Sequence, residues 1–263
     1  MKEKYLKYYR EYSPFFPLKL TWDYLFEKSK LRKLSLLHQQ NDYIALANKP
    51  ALLKLHYEIN SILWESSQKW ENYDYGEGYF YQGCDLVGIQ GLRDTRARVL
   101  SMDLKNRLKG LDILDIGCNS GFLDLIIADS AASITGLDIN PYLIQIGKVT
   151  AKYLNISNVD LLASSFEDWA LNNRFDAVLS FANHHTYDNL TKHSLETYFS
   201  KCASFLKPNG LFLFESHAPN FEGKNLNNVI DIIKQYFTIE NSQILKYGSF
   251  LDTDRTFIQA CRK

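Results

Sequence analysis

The chain predicts an α/β fold, a seven-stranded, mostly parallel sheet with an N-terminal helical cap. Three observations predict it. From Leu111 onward, short apolar runs alternate with helical patterns, the arrangement of a parallel sheet covered on both faces. The run Leu111-Asp112-Ile113-Leu114-Asp115-Ile116-Gly117-Cys118-Asn119-Ser120-Gly121-Phe122 passes from a buried strand through a tight glycine turn into a helix. Residues 1–70, by contrast, are rich in Tyr, Leu and Lys and poor in glycine.

At the N-terminus, Tyr5, Tyr8, Tyr9 and Tyr12 fall at i, i+3, i+4 and i+7, one helical face. Pro14 and Pro17 interrupt it, and two further helices are expected over 21–40 and 42–70. Residues 1–70 are expected to cap the ligand edge of the sheet. A packing extension or a dimerisation arm explains the aromatic stripe equally well, because such stripes are more often core than recognition surface. Residues 71–110 form a bridge to the sheet domain, 111–263. There, strand one is 112–116 and a helix follows over about 120–130. Strand two is 133–138, after which Asn140 and Pro141 supply an N-cap and a first-turn proline for a helix to about 154. Strands three and four are 159–163 and 175–181. A helix over 194–206 ends at Lys207-Pro208-Asn209-Gly210, and strand five is 211–215. A last helix, 226–236, leads to two closing strands near 239–246 and 255–262.

Strand, glycine turn, helix, second strand and then a carboxylate is the plan of a nucleotide-type cofactor site. The carboxylate is Asp138, 17 residues after Gly121, and it can accept hydrogen bonds from both hydroxyls of a ribose. A dinucleotide turn needs glycines at its first, third and sixth positions, which here are Gly117, Asn119 and Phe122. No Gly-Lys-Ser/Thr follows, as a phosphate-cradling loop requires. What remains, Asp115-x-Gly117-x-Asn119-x-Gly121, resembles motif I of the class I S-adenosyl-L-methionine (SAM) methyltransferases. Asn119 replaces the middle glycine, and Asn tolerates left-handed backbone better than most residues.

The resemblance covers roughly residues 90–263 and implies a Rossmann-like methyltransferase sheet with SAM as cofactor, held beyond the carboxyl ends of the strands. It places Asp115, Gly117, Asn119 and Gly121 around the cofactor, Asp138 on the ribose and Ile139 on the adenine. Family members often carry an acid about where Ser165 lies, so that Ser165 or a backbone carbonyl must meet the adenine amino group. Phe166 is placed to stack on the base, and Phe181 ends the fourth strand at the same edge.

Ahead of motif I stand Tyr73, Tyr75, Tyr79, Tyr81-Gln82 and Gly88-Ile89-Gln90-Gly91-Leu92-Arg93-Asp94-Thr95, with a further arginine at Arg98. This layout is similar to that of the bacterial tRNA wobble-uridine carboxymethyltransferase group. By that resemblance the bridge folds over SAM, with Tyr81, Gln82 and Arg93 at the cofactor end of the pocket. A guanidinium suits the methionine carboxylate, or an acidic acceptor, because it pairs bidentately. For Arg96 and Arg98 a solvated helix face is the expectation.

Three of the six histidines fall at strand ends predicted to lie over the cofactor: His184 and His185 after strand four, His217 after strand five. Methyl transfer from SAM is an in-line displacement, so the protein must align the acceptor and, for a hydroxyl, remove its proton. A histidine titrating near neutrality suits that role, with Glu215 placed to orient it. Adjacent residues on an extended chain point oppositely, so at most one of His184 and His185 faces the acceptor unless the loop turns there. The histidine spacing matches no strong metal motif, and no metal is expected.

Thirty basic and thirty acidic residues cancel, which leaves no whole-molecule field to draw in RNA or an anionic membrane. Cys84, Cys118, Cys202 and Cys261 are scattered without zinc spacing, and Cys118 reads as a small residue lining the turn rather than a nucleophile. No apolar run reaches bilayer length and the N-terminus lacks a signal-peptide core, so the cytoplasm is expected. The reading is thus a SAM-dependent methyltransferase acting on a small polar or sugar-containing (glycan) acceptor, by O-methylation with a histidine base. The alternatives are a tRNA-modifying (carboxy)methyltransferase, opposed by the neutral charge, and a non-catalytic SAM-binding scaffold.

Overall fold

The computed structural model describes residues 17–72, 74–170, 174–185, 193–218, 225–247 and 254–263, with side chains from residue 30 onward. The tyrosine stripe of residues 5–12 and Tyr73 lie outside them. The predicted seven-stranded α/β sheet is the observed one, in the order β3-β2-β1-β4-β5-β7-β6. Its strands are β1 (Asp112–Ile116), β2 (Ser133–Asp138), β3 (Val159–Ala163), β4 (Phe175–Phe181), β5 (Leu206–Glu215), β6 (Phe237–Leu245) and β7 (Arg255–Arg262). The first five are parallel, and β7 runs antiparallel between β5 and β6. The chain steps outward from β1 to β3, then returns to lay β4 on the other side of β1. That switch opens a crevice at the carboxyl ends of β1 and β4.

The central strands β1 and β4 and the second half of β5 are buried on both faces, so they read as near-continuous apolar runs. Alternate side chains go to opposite layers. Ile113, Ala177, Leu179 and Leu213 pack with Met102, Leu104, Ile127 and Phe257. Leu114, Val178, Phe212 and Phe214 pack with Phe199 of α7 (Leu195–Ser204) and Val229 and Ile233 of α8 (Leu226–Tyr236). Helix α6 (Pro141–Tyr153) begins as expected, with the Asn140 side chain accepting from the Tyr142 and Leu143 amides and Pro141 in the first turn.

Several boundaries differ from the sequence expectation. The N-terminal helices are α1 (Pro17–Leu46) and α2 (Pro50–Lys69), so the break falls at residues 47–49 rather than at 41. Pro50 decides this, because it lacks an amide proton and disfavours helix in the residue before it. Helix α7 stops at Ser204, and β5 begins at Leu206, which pairs with Phe175 before a register shift. Asn209, at φ 59°, takes up that irregularity in left-handed backbone instead of ending a helix. β6 starts two residues early because Phe237 stacks on Phe212, ring centroids 4.3 Å apart.

The bridge is held by the two N-terminal helices. It crosses itself where the Gly83 amide donates to the Arg93 carbonyl at 2.9 Å. Gly91 sits at φ 63° in this crossing, and a Cβ there would come within 2.3 Å of the Gly83 nitrogen, so only glycine fits. From α1, Ser35 donates to the Gly76 carbonyl, His38 bonds the Gly91 carbonyl, and buried Asp42 accepts from the Tyr79 hydroxyl (2.7 Å) and the Gln90 amide (3.0 Å). From α2, His56 bonds the Val87 carbonyl at 2.7 Å, while Leu55, Ile59 and Ile62 pack with Tyr79, Phe80, Phe122 and Ile146. Asp42→Ala is therefore expected to cost about 1–3 kcal/mol in urea unfolding, because it leaves Tyr79 and the Gln90 amide unpaired. Asp42→Asn, which keeps one acceptor, should cost less. Equal stability of Asp42→Ala and wild type would remove the clamp from this account.

Candidate active site

A pocket of about 200 Å³ opens at the carboxyl ends of the central strands. Asp115, Ile116 and Gly117 enter it from the end of β1, and Asn119 from the turn that follows. Gly117, Asn119 and Gly121 all have φ between 59° and 70°, left-handed backbone that the Gly-x-Asn-x-Gly pattern supplies. Gly121 is not in the pocket wall. It precedes α5 (Phe122–Ile127), and a Cβ there would come within 2.7 Å of Leu161, so close packing also requires glycine at this position.

Asp138, Ile139 and Asn140 come from the end of β2. The Asp138 carboxylate is fixed by two backbone donors, the Asn119 amide on Oδ2 and the Asn140 amide on Oδ1, each at 2.9 Å. These two bonds orient the group, whose oxygens act only as acceptors. Ile139 is 42% exposed beside it, an apolar surface open to a flat ring. After β3, Ser165 and Phe166 line the wall. The Ser165 hydroxyl accepts from the Glu167 amide at 3.1 Å, and Phe166 packs edge-on against Tyr198 at 5.4 Å.

The end of β4 brings Phe181, Ala182 and Asn183 into the wall, with Tyr198 behind them. Sequence reasoning did not assign Asn183 or Tyr198. Asn183 donates to the Ile116 carbonyl and accepts from the hydroxyls of Ser180 and Tyr198, both at 2.8 Å, which ties β4 to β1 across the crevice. Ala182, at φ 54°, occupies left-handed backbone, a strained conformation for a residue with a Cβ.

The bridge supplies Tyr81, Gln82, Arg93 and Arg98. Gln82 is buried, and its Oε1 meets no donor among the described residues. Arg98 is buried too, which corrects the solvated-face reading, whereas Arg96 pairs at the surface with Asp85 at 2.8 Å. Helix α3 (Thr95–Ser101) carried a signal for this: Thr95, Arg98, Val99 and Met102 recur at i, i+3, i+4 and i+7, and all are buried. Arg98 reaches the fully buried Glu215 carboxylate, joined by Arg93 at 3.5 Å and by the Tyr247 hydroxyl at 2.8 Å. Burial alone would raise the Glu215 carboxyl. Arg98, Arg93 and Arg255, with the Tyr247 hydroxyl, outweigh it and hold the group at about 2.

Glu215 consequently does not orient a histidine. Its neighbour Phe214 points to the opposite layer, where it meets the His184 ring at 5.0 Å, and strand alternation sends the carboxylate to the arginines. The three histidines do come together. The His184 ring lies 4.9 Å from that of His185 and 4.8 Å from that of His217. The chain bends at residues 184 and 185 instead of running extended, so two adjacent rings can lie near one another. His184 and His217 are buried, His185 is half-buried, and none of the three is in the described wall of the pocket. Among the described residues no group of His, Cys, Asp or Glu could hold a metal ion.

Burial, then the neighbouring His184 and Arg255, depresses the His217 ring well below its usual 6.5. An unfolded chain would take up a proton here below about pH 6.5 while the folded chain would not. The contribution is present above that pH and is lost as pH falls, with a slope of up to about 1.4 kcal/mol per pH unit. The urea midpoint of wild type should therefore drop more steeply between about pH 7 and 5 than that of His217→Asn. Parallel curves would contradict a neutral, buried His217.

The sheet order and the strand-end site together define the class I methyltransferase fold. Residues 113–210 match the family described as a methyltransferase domain. The malonyl-[acyl-carrier protein] O-methyltransferase of Acetivibrio thermocellus is 31% identical over 127 residues, 48% of this chain and 41% of that protein. The ubiquinone biosynthesis O-methyltransferase of Rhizobium johnstonii is 34% identical over 130 residues, 48% of this chain and 49% of that one. The chain thus matches less than half the length of either relative. Among solved structures, the N-methyltransferase NodS of Bradyrhizobium japonicum with S-adenosyl-L-homocysteine superposes with a TM-score of 0.53 at 17% identity, covering 65% of this chain and 90% of that one. The [4+2]-cyclase SpnF superposes with a TM-score of 0.50 at 16% identity, covering 65% and 84%. These likenesses establish the fold. Among the described residues no helix is long and apolar enough to cross a membrane.

Proposed function

We propose that the chain is a SAM-dependent methyltransferase that methylates an oxygen of a small polar acceptor. The observation that carries this is the complementarity of the pocket's two ends. At one, the Asp138 carboxylate is oriented by two backbone amides beside Ile139, Ser165 and Phe166: a seat for an adenosine. At the other, Asp115 and Gln82 Oε1, which meets no donor among the described residues, suit an α-ammonium group, and Arg93 suits a carboxylate. Bound there, SAM would supply a methyl group already activated by its sulfonium. The chain's own work is then alignment and charge placement. Arg93 and Arg98 bring two guanidinium groups to this side of the pocket, which suits an acidic acceptor or the methionine carboxylate itself. Oxygen is favoured as the methylated atom because both relatives are named O-methyltransferases. Of the three histidines, half-buried His185 is the best placed to take a hydroxyl proton as the oxygen–carbon bond forms.

The test is S-adenosyl-L-homocysteine production with a panel of phenols, hydroxy acids, carboxylic acids and sugars, with mass spectrometry of the acceptor. A methylated oxygen, with turnover cut about a hundredfold in His185→Asn on a hydroxyl acceptor and SAM affinity retained, would support the reading. Tight SAM binding without transfer to any acceptor would support the scaffold alternative instead. Tight binding of NAD would overturn both.

A further inference from the structure

Beneath the glycine turn lies a second carboxyl that the proposed reaction does not use. Asp124, in the first turn of α5, is fully buried and sits against the side chain of Asp115. Its place exists because residue 136 on β2 is glycine: a Cβ there would come within 2.6 Å of Asp124 Oδ2 and 3.0 Å of Cys118 Sγ. Among the described residues neither oxygen of Asp124 receives a donor, and no cation acts on it. Two carboxyls buried side by side hold a proton between them, since two carboxylates offer only acceptors and repel each other.

We propose that Asp124 and Asp115 form a proton-sharing pair in which Asp124 is a positioning residue for Asp115, so that cofactor binding expels a proton from the pair. The proposal rests on the reading that Asp115 faces the α-ammonium group of the cofactor. Burial and then the adjacent Asp115 push Asp124 well above the usual carboxylate range. Burial lifts Asp115 to about 7, against the lowering effect of the Asp124 hydrogen bond and of Arg98. The other groups facing the pair are Asp138 from β2, which raises Asp115 further, and the Cys118 thiol, which burial keeps protonated. Above about pH 7 the pair thus holds one proton, on Asp124, and Asp115 is an anion. Below that it holds two and is neutral. A cation beside Asp115 favours the singly protonated form, and the second proton goes to solvent.

The experiment is calorimetry of S-adenosyl-L-homocysteine binding at about pH 6 and about pH 8, each in two buffers of different ionisation heat. Wild type is expected to release a fraction of a proton at the lower pH and almost none at the higher, with affinity at least about threefold weaker at the lower. Asp124→Asn, which keeps an N–H donor for Asp115, should stay within about threefold of wild type at the higher pH. Asp124→Ala, which removes the donor, should move the loss of affinity to higher pH and weaken binding about tenfold at neutrality. If Asp124→Ala fails to fold, the wild-type proton count alone decides. The absence of buffer-dependent heat at both pH values, or an Asp124→Ala profile superimposed on wild type, would overturn the proposal. Failure of the underlying site reading looks different: Asp115→Asn and Asp138→Ala would then leave affinity unchanged at both pH values.

Discussion

Glu215→Gln is expected to lower stability by about 3–5 kcal/mol, the largest effect of any single substitution considered. Breaking a buried ion pair leaves its partners' charges desolvated and uncompensated, which costs far more than the pair's net contribution. Here the loss falls on Arg93, Arg98 and Arg255 together, and the Tyr247 hydroxyl loses an acceptor of full charge. Denaturant midpoints measured beside Arg96→Ala provide the contrast, since the exposed Arg96–Asp85 pair should be worth no more than about 1 kcal/mol. The same carboxylate gives a pH signature. Its pKa is held at about 2, below the unfolded value, so its contribution is complete above about pH 4.5 and is lost as pH falls towards 2. A Glu215→Gln protein within about 1 kcal/mol of wild type would show that the arginines do not depend on this carboxylate.

Asp138→Ala is expected to weaken SAM and S-adenosyl-L-homocysteine binding by about tenfold to a hundredfold. Hydrogen bonds to a charged acceptor are worth about 1.5–3 kcal/mol, which converts to that range. Because Asp138 also accepts from the Asn119 and Asn140 amides, part of the loss would come through a loosened turn. Asp138→Asn separates the two. It keeps an acceptor for one amide and loses the charge, so it should retain stability better than affinity. An unchanged dissociation constant in Asp138→Ala would remove Asp138 from the ribose.

Much of the sheet was legible before the structure. Strands 112–116, 133–138, 159–163 and 175–181 and the helix over 226–236 stand at their expected bounds, because apolar runs, proline and capping residues act on contiguous chain. The boundaries that moved did so for non-local reasons: Phe237 is drawn into β6 by Phe212, and Leu206 into β5 by pairing with Phe175. In the pocket, the turn residues and Asp138 were legible because a glycine pattern and a strand-end acid are local signals. Asn183 and Tyr198 were not, since their hydrogen bonds to each other and to β1 join distant segments.

By itself, the sequence determined the class of fold, the direction of its sheet and the position of the glycine turn. Hydrophobic periodicity and backbone permissiveness are properties of neighbouring residues. Only the tertiary structure decided the charges. It turned Arg98 inward to a glutamate 117 residues away, took Glu215 from the histidines, and drew the histidine rings into contact with one another. It also set Asp124 against Asp115 and made the N-terminal helices a clamp on the bridge. Electrostatic and hydrogen-bond partners are chosen through space, by which faces the sheet brings together, and no spacing along the chain encodes that choice.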